Sequence, residues 1–105
     1  MATINDLLRV IPFGKQNAIH AEDIASLLNL PTGGNQVETR GLIREAILQG
    51  NIILSIPIVG YWRSNNKTEV ETYIMSLNER AQEINEPSIA IKQAWNSANP
   101  QNVIL

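Results

Sequence analysis

The sequence predicts an α+β, mostly helical fold of three helices, a short β-hairpin and a helical C-terminal extension. Three observations lead there. Apolar residues recur at helical spacing in five stretches cut apart by Pro, Gly and Asn clusters. One run, Ile52 to Arg63, is β-branched and aromatic instead. At 105 residues, 44% hydrophobic and without cysteine, the chain is one domain's worth and needs a packed core, since no disulfide can hold it.

The elements follow in order. Ile4, Leu7, Leu8 and Ile11 make a helix of residues 3–11, which Pro12 and Gly14 stop. Asn17-Ala18-Ile19 has room only for a strand stub or turn. From His20, AEDIASLL places two acids in a first helical turn, where the helix dipole favours them, followed by apolar Ile24, Leu27 and Leu28. The breakers PTGGN at 31–35 form a turn. Residues 36–49 carry Thr39, Leu42, Ile43, Ala46 and Ile47 along one stripe, with Gly50-Asn51 as the stop. IILSIPIVGYWR, interrupted by Pro57 and Gly60, reads as two short strands with a tight connection. Asn65 and Asn66 precede a helical pattern over 67–85 that ends before Pro87, and a last one over 88–98 has Ile91, Trp95 and Ala98 on one face. The division expected is a compact unit at 1–66 and a helical extension at 67–105 that is not an independent domain.

Charge narrows the function classes. Eight basic against ten acidic side chains leave a net charge of −2, which excludes a strongly cationic nucleic-acid coat. Residues 1–67 nevertheless carry six cations against five acids, and residues 68–105 two against five, so an anionic partner would prefer the first part. MATINDLLRV does not read as a signal peptide, and no window approaches roughly 18 apolar residues. The expectation is a cytoplasmic protein without a membrane segment.

A helix-turn-helix followed by a hairpin is a compact DNA-binding arrangement. The residues GKQNAIHAEDIASLLNL, then RGLIREAILQGNIILS, then GYWR resemble the winged helix-turn-helix superfamily, closest to its small phage- and prophage-type members. The resemblance spans Leu7 to Arg63, 57 of 105 residues, and stops before Lys67. It implies a helix at 36–49 that reads double-stranded DNA, in a regulator or a replication or partition accessory. On that helix Arg40 and Arg44 form one flank, and two planar guanidinium groups suit phosphate or a guanine edge. They suit equally a solvated flank paired to Glu38 or Glu45. Asn35 and Gln36 stand at the helix start, where base contacts are usual, with Thr39 near them. Arg9, Lys15 and Arg63 complete the candidate phosphate contacts. Gly41, on the outer face, costs roughly 1 kcal/mol of helix stability relative to Ala; close approach of a partner's backbone or simple tolerance would account for it. The hairpin, with Pro57-Ile58-Val59-Gly60 at its turn, departs from basic wings that enter the minor groove. Tyr61 and Trp62 suit base stacking, though strand aromatics beside Ile52, Ile53 and Leu54 more often serve the core. A protein-interaction module on the same fold therefore stands as the alternative to DNA binding.

In the extension Val70, Ile74, Leu77, Ala81 and Ile84 step by 4, 3, 4 and 3, the spacing of a two-helix seam. With Trp95 and the end Val103-Ile104-Leu105, it suits a homodimer through residues 67–105, or packing on the chain's own domain. Catalysis has little support. His20 is the only histidine, so one chain cannot build a two-histidine metal site, and a helix-start or surface role suits it better than a general base. No Walker A, G-x-G-x-x-G or G-x-S-x-G occurs, and Thr32-Gly33-Gly34-Asn35 lacks a lysine placed for phosphate. No enzyme activity, cofactor or metal is expected.

Overall fold

In the computed structural model, which describes residues 2–80 and 86–105, the first helix starts at a capping box. The Thr3 N–H donates to Asp6 Oδ2 at 2.9 Å, and the Asp6 N–H donates to Thr3 Oγ1 at 3.1 Å. Hydrogen bonding from Thr3, first from its backbone N–H and then from its side chain, holds the Asp6 carboxyl below its ordinary range. The helix α1 (Ile4–Val10) ends at Ile11, whose extended backbone is what a residue before proline adopts. After a 3-10 turn at Lys15–Asn17, Ile19 forms one antiparallel bridge to Tyr61, exchanging N–H···O bonds of 3.0 and 2.7 Å. The stub expected at 17–19 is thus one paired residue long.

Helix α2 (Ala21–Leu27) buries Ala21, Ile24 and Ala25. Leu27, expected on the same stripe, faces solvent, while Leu28 is half-buried. Helix α3 (Val37–Leu48) buries Thr39, Ile43 and Ala46. Its end is a Schellman motif: Asn51 N–H donates to the Ala46 carbonyl at 3.1 Å and Gly50 N–H to the Ile47 carbonyl at 3.0 Å. Gly50 supplies the φ of +106° that this closure needs. Because Ile43 is buried, Ile43→Ala is expected to lower the unfolding free energy by roughly 2–5 kcal/mol in urea melts. A loss below about 0.5 kcal/mol would contradict the packing of this stripe.

Strands β1 (Ile53–Ile56) and β2 (Gly60–Arg63) pair antiparallel, with Leu54 opposite Trp62 and Ser55 opposite Tyr61. Successive side chains on a strand point to opposite faces, and here both faces are covered. Ile53 enters a first core with Leu7, Ile11, Ile24, Ile43 and Ala46. Its neighbour Leu54 enters a second with Trp62, Val70, Ile74, Ile91, Trp95 and Ile104. The hairpin is the wall between them.

That second core is built by α4 (Lys67–Arg80) and α5 (Glu86–Ala98). Asn66 Oδ1 accepts the Glu69 N–H at 2.9 Å at the start of α4. Pro87 lies in the first turn of α5, where its missing N–H costs nothing, so the helix begins before the expected residue 88. After α5 the chain folds back: Asn96 clamps Ile104 through bonds of 2.6 and 3.0 Å, and Trp95 Nε1 donates to the Asn102 carbonyl at 2.8 Å. Val70, Ile74 and Trp95, candidates for a dimer seam, are 0, 6 and 4% exposed within this core. For these three residues the dimer-seam assignment is corrected: they pack against Leu54 and Trp62 of their own chain. Leu77 is half-buried, and Ala81 and Ile84 lie outside the described residues, as does the end of the helix expected at 67–85.

The architecture is α+β and mostly helical, with five α-helices and one two-stranded antiparallel hairpin among the described residues. It is compatible with a winged-helix-like arrangement. No described helix is long and apolar enough to cross a membrane.

Candidate nucleic-acid interface

Three elements meet where α3 begins. The start of α2 (His20, Ala21, Glu22), the start of α3 (Gln36, Arg40) and the hairpin (Ser55, Ile56, Pro57, Gly60, Tyr61) line one cleft of about 380 Å³. The Ile19–Tyr61 bridge brings them together, because it ties the chain entering α2 to β2. Gly60 permits the approach: its φ is +106°, and a Cβ there would collide with the Ile19 carbonyl.

The candidate residues divide on this frame. Arg40 and Arg44 are both exposed on one flank of α3 and border a second, largely apolar groove of about 250 Å³ with Tyr61, Tyr73 and Leu77. Arg40 Nε donates to the Asn35 carbonyl at 2.6 Å, which steadies the side chain across the turn at the border of the cleft. Asn35 itself is exposed. Gln36 has φ +51°, and its side-chain amide donates to the Thr32 and Gly34 carbonyls at 2.9 and 3.3 Å, so it braces the turn before α3. Thr39 is fully buried, its Oγ1 without a hydrogen-bond partner. Its assignment to base contacts is corrected, since a residue on the inward stripe cannot also face a groove.

The remaining cations stand elsewhere. Arg63 stacks its guanidinium 4.2 Å from the Phe13 ring centroid and donates from Nε to the Ile11 carbonyl at 3.0 Å. Partial burial lowers its pKa. This arginine ties β2 to the chain leaving α1. Lys15 Nζ lies 6.0 Å from the Trp62 ring centroid and shares a hollow with Arg63 near the start of α4. Arg9, 3.7 Å from Asp6, lines a third hollow with the end of α2. Those two hollows share no residue with the Arg40 cleft, so the eight candidates do not form one surface.

Sequence reasoning missed His20, Glu22, Ser55 and Tyr61 as neighbours of Arg40. Burial raises the pKa of the Tyr61 phenol, and the positive charge of Arg40 acts against that rise. Ser55 Oγ lies 3.4 Å from the Tyr73 hydroxyl, which carries the polar strip across to α4. No spacing could have revealed this group, since its members come from separate elements. Gly41 faces open space, with nothing within 4 Å of the position a Cβ would take, so internal packing does not account for it. Among the described residues, no three His, Cys, Asp or Glu side chains are grouped to hold a metal ion.

No protein-family model, curated protein or solved structure matches this chain.

Proposed function

We propose that this chain is a non-enzymatic, winged-helix protein that binds duplex DNA, of the kind used by phages and mobile elements as regulators or replication accessories. The observation that carries the reading is the convergence of the α2 start, the α3 start and the hairpin on one cleft fronted by Arg40. A helix-turn-helix meets DNA with the N-terminal part of its second helix. In this chain that part is Asn35 to Arg44, with Arg40 and Arg44 as the phosphate or guanine contacts and Asn35 towards the bases. The apolar groove flanked by Arg40 and Arg44 favours a second reading, a module that docks a protein segment of apolar and acidic character.

The test is a gel shift on duplex DNA across a salt series. Replacing Arg40 and Arg44 together by Ala is expected to weaken binding by about 10-fold or more and to make the salt dependence shallower by roughly two phosphates. Both side chains are exposed, so the fold should survive, which circular dichroism checks. A native variant that binds as the parent does, at every salt concentration, would overturn the assignment of α3.

A further inference from the structure

We infer that the hairpin tip is an apolar wedge, so that the duplex this chain takes is one it kinks at an easily unstacked base step. The inference rests on the DNA-binding reading above. No charged residue occurs from Ile52 to Trp62, and Arg63, at the far end of β2 from the turn, stacks on Phe13 and bonds the Ile11 carbonyl, so the tip itself has no cation with which to grip phosphate. Its tip is rigid. The Val59 N–H donates to the Ile56 carbonyl at 3.0 Å, closing a four-residue turn between two hydrogen-bonded strands. Pro57 holds the second position of that turn at the φ it requires. Ile58, next in the turn, is 88% exposed, more than any other described large apolar side chain except Leu105. A β-branched side chain on a proline-braced turn is a stiff apolar point with little entropy left to lose on insertion.

The position of the tip decides what it meets. Ile56, Pro57 and Gly60 line the cleft that Arg40 fronts, so a duplex seated on the start of α3 brings its stacked bases within reach of the tip. The cations at that face are Arg40 and Arg44, while Arg9, Lys15 and Arg63 line other hollows. Two phosphate contacts release few counterions, and affinity at physiological salt then needs a component that salt does not screen. Apolar side chains wedged between base pairs supply one, and they kink the duplex as they unstack the step. Pyrimidine–purine steps unstack most readily, so a TpA or CpA step is the expected target.

The experiment compares short end-labelled duplexes that carry or lack a central TpA step, using equilibrium binding and end-to-end energy transfer. The proteins are the full chain and its Ile58→Ser, Ile58→Phe and Arg40→Ala variants. The parent is expected to bend the TpA duplex by roughly 20–90° and to prefer it several-fold, by about 3-fold or more. Ile58→Ser should lose the bend and the preference while binding the step-free duplex within about twofold of the parent, because phosphate contacts carry that binding. Ile58→Phe should keep both bend and preference, and Arg40→Ala should weaken binding to both duplexes. A parent that binds but leaves the TpA duplex straight, or a bend that survives Ile58→Ser, overturns the wedge and leaves the DNA reading standing. A parent that binds neither duplex overturns both.

Discussion

Removal of residues 67–105 is expected to abolish the cooperative unfolding transition of the remaining chain. Leu54 and Trp62, 0 and 2% exposed in the full protein, owe their burial to Val70, Ile74, Ile91, Trp95 and Ile104. Uncovering two such side chains costs about 1.5–3 kcal/mol each by area alone, before the lost van der Waals contacts are added. A small domain has only about 5–15 kcal/mol of stability in total. A remnant of 66 residues also lies near the size at which one small core is marginal. Urea titration followed by far-ultraviolet circular dichroism would show a broad, non-cooperative change where the full chain gives a sigmoid. A truncated chain with a transition midpoint close to that of the parent would refute the shared core. The buried seam has a counterpart in solution: Val70, Ile74 and Trp95 are unavailable to a second copy unless α4 and α5 detach from the hairpin.

Gly60→Ala should destabilise the protein by roughly 2–5 kcal/mol. The lower part of that figure is the price of a positive φ for a residue with a Cβ, about 1–2 kcal/mol. The remainder is steric: the added methyl would collide with the Ile19 carbonyl and lie 3.0 Å from the His20 backbone nitrogen. Relief would require breaking the Ile19–Tyr61 bridge, which holds the start of α2 against the hairpin. Gly50→Ala is the matched control. It has the same φ of +106° with open space around it, so its cost should stay near 1–2 kcal/mol. Thermal melts of the two variants should therefore separate by several degrees, given about 4–8 °C per kcal/mol for a domain of this size. Equal melting temperatures would mean that the bridge yields at little cost.

Local chemistry made much of the fold legible. The α1 stop at Pro12, the α3 stop at Gly50-Asn51 and the hairpin turn at Pro57 each depend on the conformational limits of one or two residues. Such limits act wherever the residue sits, so they can be read without knowing what packs on them. Leu27 was less legible: α2 has only seven residues, and so short a helix lets a neighbouring residue take the inward place. For the candidate site the exposed pair Arg40 and Arg44 was readable from helical periodicity. Thr39 was readable too, since its place on the inward stripe already opposed a base contact. Gln36 and Arg63 were not. A side chain's choice between solvent and a neighbouring carbonyl depends on where the backbone of another segment happens to lie, as Ile11 does beside Arg63.

By itself, then, the sequence determined which segments are helix and which are strand, the apolar stripe of α3, and where charge is thin. It left undecided what each apolar face would meet. The 4-3-4-3 stripe of the extension fits a second copy as well as its own hairpin, because an apolar stripe is satisfied by any complementary apolar surface. For Val70 and Ile74 the tertiary structure made that choice through the hairpin face that carries Leu54 and Trp62, which they cover. Ile53 and Leu54, adjacent in the chain, point into different cores, so the hairpin needs α1–α3 on one face and α4–α5 on the other. Burial is a property of pairs of surfaces, and only the folded chain brings the second surface of each pair into place.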